Sequence, residues 1–594
     1  MKEEGHDKTK NLSGEAFDLD VFLRILQYAK KYRWQFIITS LAAITLSFLA
    51  TARPIILIRI VNTYITPREE KGLLFLITLM VILLLIEVVI QFFFVYLANW
   101  LGQHIIKDIR QQLFHHIIHF RMAYIDTSSI GRLVTRVVSD LETIASFFSQ
   151  GLFMIVGDLL KMLVVILVML IINWRLALIT FTVLPILVYT TKLFQQGIKQ
   201  SFKEVRKQVA NLNSFVQERL SGMTIIQLFT REKSEFQKFK EINNNYKNAY
   251  IKAIWYYSVF FPVAEVLSSI AIGLLVWYGG LQAATNTTVQ PGEIIGFIMM
   301  AQMLFRPLRQ IADKFNTLQM GIVAGERIFN IIDTNSRTAR NGTITGENIK
   351  GNIIFNNVYF WYKKNEPVLN GISFEVKQGE TVAIVGATGA GKSTIINLIN
   401  RFYDIEQGDI FIDSISIKDY ELTSLRNQIA VVLQDVFLFS DSIFNNITLK
   451  DKNISPEDVE KAAKRIGIND FINTLPGKYN YNVKERGVML SSGQRQLIAF
   501  LRAYVSNPKI LILDEATSSI DSYSEQLIQQ ATNKITKNRT SIIIAHRLAT
   551  IKKADKILVM DQGRIVEQGS HQELLKITNG FYRNLYDQQF KTDR

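Results

Sequence analysis

The sequence contains no cysteine among its 594 residues. Disulfide bonds, thiolate metal sites and a cysteine nucleophile are therefore excluded. The first twenty residues, MKEEGHDKTKNLSGEAFDLD, also lack the apolar core of a secretory signal peptide. We therefore expect the N-terminus to begin in the cytoplasm and to stay there.

Charged residues are scarce as well. They make up 20% of the chain, whereas hydrophobic residues make up 48%. This balance is too apolar for an ordinary soluble protein and too polar for a protein that lies wholly in a membrane. The length predicts at least two domains. A membrane part joined to a soluble part accounts for both observations.

Long apolar runs occupy the first half of the chain. A helix crosses the hydrocarbon core of a bilayer in about 20 residues. Five runs reach or approach that length, and a shorter sixth run ends at Arg306 and Pro307. We predict six membrane-spanning helices from the runs 34–64, 73–101, 144–172, 176–191, 253–288 and 294–305.

The links between these runs predict the topology. Residues 65–72, 173–175 and 284–293 form short links with few positive charges, whereas residues 102–143 and 192–252 are long, polar and rich in lysine and arginine. By the positive-inside rule the two long links are cytoplasmic. This topology accounts for the formal net charge of +15, so nucleic-acid binding is disfavoured. The protein is expected in the cytoplasmic membrane, with its second half in the cytoplasm.

The second half of the chain contains a candidate phosphate-binding loop. The segment GATGAGKST follows the apolar strand TVAIV and opens a helix, which is the context that a P-loop requires. Its glycines let backbone N–H groups face phosphates at a helix N-terminus. Lysine and serine in this loop suit the β- and γ-phosphates of ATP and Mg²⁺. The candidate nucleotide-binding residues are Gly386, Ala387, Thr388, Gly389, Ala390, Gly391, Lys392, Ser393 and Thr394.

Two carboxylates follow a second apolar strand. The run KILIL leads directly into Asp514 and Glu515, at the strand end where open α/β sheets bind ligands. An acidic pair in this position is more often a helix cap or a loop start. The P-loop upstream favours the functional interpretation, with Asp514 as a Mg²⁺ ligand and Glu515 polarising the attacking water.

The segment Leu490–Gln494 reads LSSGQ and lies between the P-loop and the acidic strand. It closely resembles the LSGGQ signature of ATP-binding-cassette (ABC) ATPases. The resemblance covers nearly the whole chain. It implies an all-α transmembrane domain of six helices followed by an α/β P-loop ABC ATPase domain. We expect a polar tail over residues 1–17, the transmembrane domain over 18–330, a linker over 331–350 and the nucleotide-binding domain over 351–594.

The resemblance also implies roles for single residues. Tyr362 matches the aromatic that stacks on adenine, and Gln434 matches the glutamine that contacts Mg²⁺. Asp521 lies in the family's D-loop, and His546 matches the switch histidine near the γ-phosphate, which makes it a catalytic candidate beside Glu515. In addition, Lys484–Gly487 resembles the X-loop of exporters.

The signature is expected to need a second subunit. Ser491, Gly493 and Gln494 open a helix whose positive end suits an anion. The resemblance implies that this anion is the γ-phosphate of ATP held by the other half-transporter. Ser492 replaces the first glycine of the usual signature, and in some heterodimeric exporters a modified signature accompanies an impaired site. Homodimer and heterodimer both stay open.

Several ionisable residues interrupt the apolar runs. Asp158 and Lys161 are three residues apart and are expected to pair on one helix face. Glu87 and Glu265 are more isolated, so one of them is expected to line a cavity and attract cationic substrates. Pairing between helices is the alternative. The family also places coupling helices near residues 124–131 and 222–233, where an ordinary polar helix turn is the simpler interpretation.

The function expected from these features is ATP-driven export of amphipathic or hydrophobic small molecules by a dimer with alternating access. The partners are a second half-transporter, membrane lipid and the substrate. A lipid flippase of the same architecture is the nearest alternative. An ATP-gated channel, or a regulatory subunit that binds ATP without hydrolysing it, is a different class, and the intact Glu515 and His546 argue against it.

Overall fold

The apolar runs of the first half form helices that are longer than the hydrocarbon core requires. The computed structural model describes residues 18–285, 289–338, 342–515, 522–545 and 548–590. The predicted tail, residues 1–17, lies outside this set. Within the described residues, five helical segments are long and apolar enough to cross a membrane: Leu19–Ile65, Leu73–Ile117, Ile130–Ile172, Trp174–Ser221 and Glu232–Thr285.

The sixth predicted span lies in the helix Pro291–Asp333, which has 43 residues but is not among these five. Breaks within the five segments divide several of them into shorter helices. The remaining α-helical bounds in this half are Leu19–Ala29, Arg33–Ile60, Met122–Thr127, Ile130–Thr135, Leu141–Ser146, Phe153–Ile172, Trp174–Thr182, Leu184–Ser221 and Met223–Leu228. Short 3-10 or π-helical turns cover Lys30–Tyr32, Val61–Ile65, Arg136–Asp140 and Phe147–Leu152.

The chain divides into two compact units. The first, called here the membrane unit, comprises the described residues up to Ile118 together with Ile130–Thr334. The second, called the ATPase unit, comprises His119–Ser129 and the described residues from Asn335 onward. The small segment His119–Ser129 belongs to the ATPase unit, although both of its ends continue into the membrane unit.

The membrane unit buries small clusters and exposes many large apolar side chains. Val165, Met169, Leu275 and Phe297 lie in one of its buried clusters. Outside such clusters, large apolar side chains remain exposed, including Leu74, Phe75, Ile171 and Trp277. Lipid tails solvate such side chains as well as a protein core does. The exposed apolar surface therefore fits a helix bundle that faces lipid.

Ion pairs between helices neutralise the acidic residues of the predicted spans. The Arg53 Nη2 donates to Glu87 Oε1 at 3.1 Å, and its Nε lies 3.0 Å from Oε2. Asp158 pairs with Lys314 and Glu265 pairs with Arg309. The expected Asp158–Lys161 pair is therefore wrong, because a lysine from the helix Pro291–Asp333 meets Asp158 instead. Glu87 and Glu265 instead pair with residues of other helices, which was the alternative interpretation.

The ATPase unit contains two sheets and surrounding helices. Its strands are β1 (Ile353–Trp361), β2 (Pro367–Val376), β3 (Thr381–Gly386), β4 (Gln407–Ile412), β5 (Ile415–Ser416), β6 (Ile429–Val432), β7 (Ile510–Glu515), β8 (Thr540–Ala545), β9 (Lys556–Asp561) and β10 (Arg564–Gly569). An antiparallel sheet has the order β2-β1-β4-β5, and a six-stranded sheet has the order β10-β9-β3-β8-β7-β6. In the six-stranded sheet only β10 is antiparallel to its neighbour.

The helices of the ATPase unit connect these strands. Apart from Met122–Thr127, the α-helices are Lys392–Ile399, Leu422–Asn427, Ile443–Thr448, Pro456–Ile466, Asn469–Thr474, Ser492–Val505, Ser522–Thr536, Leu548–Ile551, His571–Lys576 and Phe581–Phe590. Short 3-10 turns cover Lys478–Asn480 and Glu485–Gly487.

The five parallel strands of the six-stranded sheet are buried on both faces. Successive side chains of a strand point to opposite faces. Accordingly, Ala383 and Val385 join one buried cluster, whereas Val382 and Ile384 join the other. Strand β7 alternates in the same way, with Leu511 on the first side and Ile512 on the second. Burial on both faces explains why these strands read as continuous apolar runs.

We expect the Glu87→Gln variant to lower the apparent Tm in detergent by roughly 2–5 °C, because it leaves Arg53 at membrane depth without its counter-charge. Arg53→Gln should have a similar effect, and the double variant should recover most of the loss. Glu241→Gln, at an exposed position, is the matched control and should leave the Tm unchanged. A double variant less stable than either single variant would contradict the pairing.

Candidate nucleotide site

The strands that precede the predicted site residues end at one edge of the six-stranded sheet. Parallel neighbours end on the same side, and this sheet places β3 beside β8, β8 beside β7 and β7 beside β6. At that edge β3 ends with Gly386, β7 ends with Asp514 and Glu515, β8 ends one residue before His546, and β6 ends two residues before Gln434. The sheet therefore brings together segments that are more than 100 residues apart in the sequence.

The P-loop wraps around the lysine side chain. Lys392 Nζ donates to the carbonyl oxygens of Gly386 at 2.8 Å and Ala387 at 2.9 Å. Burial lowers the pKa of the Lys392 ammonium, and the nearby Asp514 carboxylate opposes this effect. Gly391, with φ of +97°, caps the helix Lys392–Ile399. A Cβ at Gly391 would lie 2.8 Å from Leu369 Cδ2, so the turn requires glycine both for its conformation and for space.

Two oxygen-bearing side chains converge beside this lysine. The Ser393 hydroxyl lies 3.5 Å from Asp514 Oδ2, and the Asp514 side chain is buried. A hydroxyl and a carboxylate are the hard ligands that Mg²⁺ prefers. The residues present therefore fit a magnesium ion held between the P-loop and the end of β7.

Tyr362 directly follows β1, in the antiparallel sheet. Its hydroxyl donates to Thr394 Oγ1 at 3.3 Å and accepts a hydrogen bond from Asn397 Nδ2 at 3.1 Å. Both partners follow the P-loop lysine in sequence, which ties the tyrosine to the phosphate-binding helix. The side chain remains 46% exposed, so it can offer ring surface to a base.

The signature segment forms the start of the helix Ser492–Val505. Ser491 is its N-cap: the side-chain hydroxyl accepts from the Gln494 backbone N–H at 3.3 Å, and Gln494 Oε1 accepts from the Ser491 N–H at 3.0 Å. This reciprocal capping box gives Gln494 a structural role that the sequence analysis did not identify. Ser491 and Ser492 are exposed and Gly493 is buried.

Some of the remaining predicted residues lie within the described part of the chain and others do not. Gln434 is exposed after β6. Glu515 is the last residue of β7, and Asp521 and His546 lie outside the described residues. In the X-loop, Lys484, Arg486 and Gly487 have φ values of 59°, 53° and 69°. Three residues with positive φ within four positions form a tight turn before the signature.

Tyr403 is a site neighbour that the sequence analysis missed. Its ring lies 5.0 Å from the Tyr362 ring, nearly perpendicular at 87°. Its hydroxyl donates to the carboxylate of Asp126, in the segment His119–Ser129. Burial, and then the hydrogen bond to Asp126, raise the pKa of Tyr403 above the usual tyrosine range. Tyr403 therefore stays a neutral donor at any physiological pH.

A second contact holds the same segment. The Arg121 guanidinium lies 3.1 Å from Asp404 Oδ2, and its Nε donates to the Arg337 carbonyl at 2.7 Å. Adjacent residues 403 and 404 thus both bind the segment His119–Ser129. The sequence signal was the polar aromatic run RFYD after the P-loop helix, which does not by itself indicate a partner some 280 residues away.

Comparison with known proteins identifies both halves. The family model described as the ABC transporter transmembrane region matches residues 36–308, and the family model described as ABC transporter matches residues 369–518. An uncharacterised ABC transporter ATP-binding protein of Bacillus subtilis, YknV, is 36% identical over 96% of this chain and 94% of its own length.

Two further relatives carry functional names. YgaD of Bacillus subtilis, whose name describes a proposed multidrug export ATP-binding/permease protein, is 34% identical over 96% of this chain and 99% of its own length. An ATP-dependent lipid A-core flippase of Pseudoalteromonas translucida is 34% identical over 96% of this chain and 98% of its own length.

We expect Tyr403→Phe to raise the KM for ATP about threefold to tenfold with a smaller change in kcat, because losing a hydrogen bond to a carboxylate loosens the support behind Tyr362. Steady-state ATPase kinetics in liposomes measure this. Tyr420→Phe is the matched control, since the buried Tyr420 hydroxyl donates to the Ile412 carbonyl instead. An unchanged KM in Tyr403→Phe would show that the contact does not position Tyr362.

Proposed function

The chain belongs to the ABC transporter family, with the transmembrane region and the ATPase fused in one polypeptide, and we propose that it exports amphipathic or hydrophobic small molecules through the cytoplasmic membrane. Its family membership makes it an ATPase coupled to transport. The observation that carries the proposal is the joining of five apolar membrane-length helices to a nucleotide site in which Lys392, Ser393 and Asp514 converge.

ATP is the proposed substrate of this site. The Lys392 ammonium would neutralise the β- and γ-phosphates, and the backbone of the loop 386–391 would donate N–H groups to them. Ser393, Gln434 and Asp514 would hold Mg²⁺, which supplies charge neutralisation to the phosphates. Glu515 would polarise the attacking water, and His546 would lie near the γ-phosphate. Tyr362 would stack on the adenine.

A second half-transporter would complete each site. Ser491, Gly493 and Gln494 would present the positive end of the helix Ser492–Val505 to the γ-phosphate bound by the other chain, and Asp521 would lie at the same interface. ATP would thus strengthen the interface, and hydrolysis would weaken it. This difference in affinity between states is what drives alternating access in our proposal.

Exposed apolar side chains on and beside the short helix Met223–Leu228, called here the tip, support the requirement for a second chain. The short helix Met223–Leu228 lies between two helices of 38 and 54 residues. Large apolar side chains on and beside it are exposed in the single chain: Leu220 at 64%, Ile225 at 59%, Leu228 at 72% and Phe229 at 65%. Because this tip belongs to a polar, cytoplasmic link, lipid does not cover it, and a protein partner is the fitting occupant.

The names of the relatives supply two substrate classes, drug-like molecules and lipids. We propose drug-like amphiphiles as the main substrates and a lipid flippase as the second candidate. The two differ in what stimulates ATP hydrolysis. One specific lipid would strongly stimulate the ATPase activity of a flippase, whereas many different amphiphiles would stimulate that of a drug exporter.

The central catalytic test is Mg-ATP hydrolysis by the purified chain in liposomes beside Glu515→Gln. We expect the variant to lose at least about 100-fold in kcat while it still binds ATP, because only the polarisation of water is removed. Glu525→Gln, a carboxylate in the helix Ser522–Thr536, is the control and should keep activity. A Glu515→Gln variant as active as wild type would refute the assigned role.

The tip is tested by Leu228→Arg. We expect at least about a tenfold loss of ATPase activity without loss of ATP binding, because a charge in a buried apolar contact costs more than 1.4 kcal/mol. Asn243→Arg, at an exposed position on the helix Glu232–Thr285, adds the same charge away from the tip and should have no effect. Equal activity of Leu228→Arg and wild type would show that the tip contacts no partner.

A further inference from the structure

The hydroxyl group of Tyr362 is held by the phosphate-binding helix Lys392–Ile399. It accepts a hydrogen bond from Asn397 Nδ2 at 3.1 Å and donates one to Thr394 Oγ1 at 3.3 Å. Thr394 is buried and Asn397 is half-buried. A phenolic hydroxyl has a single proton to donate. Its proton and one of its lone pairs are therefore both engaged by this helix.

Two neighbouring rings fix the orientation of the Tyr362 ring. The Phe360 ring lies 4.8 Å from it at an interplanar angle of 90°, and the Tyr403 ring lies 5.0 Å from it at 87°. Aromatic pairs favour such edge-to-face contacts. Phe360 belongs to a buried cluster, so it cannot move without disturbing the core. The rings thus orient Tyr362 from the side, while the phosphate-binding helix holds its hydroxyl end.

Asn397 is directed away from its own helix. The other asparagine at the end of this helix, Asn400, donates to the Ile396 carbonyl of the preceding turn and so serves the helix itself. Asparagine is a poor helix former, which makes Asn397 unfavourable within a helix of eight residues. Its contact with Tyr362 offsets that cost and links the helix to the antiparallel sheet.

The same helix carries the phosphate-binding lysine. Lys392 is its first residue and Asn397 lies five residues further on, a rise of about 7.5 Å. A helix is a rigid element, so it fixes the distance between the lysine and the hydroxyl of Tyr362. The Tyr362 ring is still 46% exposed. Its free surface is therefore preorganised relative to the phosphate-binding loop, which lowers the cost of binding a ligand that reaches both.

We propose that Asn397 is a positioning residue for nucleotide binding, which holds the Tyr362 ring at the distance from Lys392 that a nucleoside triphosphate requires. This inference rests on the proposed function, in which Tyr362 stacks on the base and Lys392 neutralises the phosphates. Asn397 therefore favours triphosphates that carry a base over those that carry none. Stacking uses the π-face that every base has, so ATP and GTP benefit alike.

The experiment is steady-state ATPase kinetics of the full chain in liposomes. Asn397→Leu keeps the approximate size and branching of the side chain and removes its donor. We expect the KM for ATP to rise about threefold to tenfold with little change in kcat, because the hydrogen bond supports binding and not the chemical step. The KM for GTP should rise by a similar factor. Magnesium tripolyphosphate, which has no base, should inhibit wild type and variant with the same inhibition constant.

Further variants locate the effect. Tyr362→Phe removes the hydroxyl and keeps the ring, so it should raise the KM at least as much as Asn397→Leu. The double variant should match Tyr362→Phe, since both changes remove the same hydrogen bond. Asn397→Gln keeps an amide donor and should have a smaller effect than Asn397→Leu. Asn469→Leu is the matched control: it removes another asparagine–tyrosine contact, the 3.0 Å hydrogen bond from the Tyr479 hydroxyl, and should leave the KM unchanged.

Four outcomes would overturn the inference. If Tyr362→Ala raises the KM and Asn397→Leu does not, the positioning role is refuted and stacking stands. A rise for ATP without a rise for GTP would mean that Asn397 reads the edge of adenine. Equally weakened inhibition by tripolyphosphate would mean that the variant damages the phosphate-binding helix. An unchanged KM in Tyr362→Ala would refute the stacking assigned under the proposed function together with the inference that depends on it.

Discussion

Burial of the five parallel strands of the six-stranded sheet on both faces is the constraint on which the rest of the ATPase unit depends. Alternate residues of β3 and β7 enter two separate buried clusters, so the register of the parallel strands cannot shift without exposing one of them. That register fixes the ends of β3 and β7 at one edge. The 3.5 Å approach of Ser393 to Asp514 follows from this arrangement, and so does the place of Lys392 beneath the phosphate-binding loop.

Charge neutralisation plays the corresponding role in the membrane unit. Arg53 with Glu87, Lys314 with Asp158 and Arg309 with Glu265 join different helices through ion pairs. In a low-dielectric surrounding such pairs are retained because either partner alone is expensive. The pairs therefore stabilise the packing of the helices.

Local patterns predicted most of the architecture. Apolar runs of membrane length and a GATGAGKST loop between strand and helix are properties of short segments. Contacts between distant residues were not predictable in the same way. Asp158 pairs with a lysine 156 positions away and not with Lys161, and Tyr403 binds Asp126 across 277 positions. Partner choice of this kind depends on how helices rotate and pack, which the spacing of charges on one helix does not determine. The capping role of Gln494 was hidden for another reason, since the signature already suggested a nucleotide contact.

The central claim is that each nucleotide site is built from two chains, and complementation tests it most directly. Lys392→Ala disables the P-loop and leaves the signature intact, whereas Ser491→Arg disables the signature and leaves the P-loop intact. Each variant alone should be inactive. When the two are reconstituted together, half of randomly formed dimers are mixed and hold one intact site of two, so we predict about a quarter of wild-type ATPase activity. A mixture no more active than the two variants measured separately would contradict the claim and place the whole site within one chain.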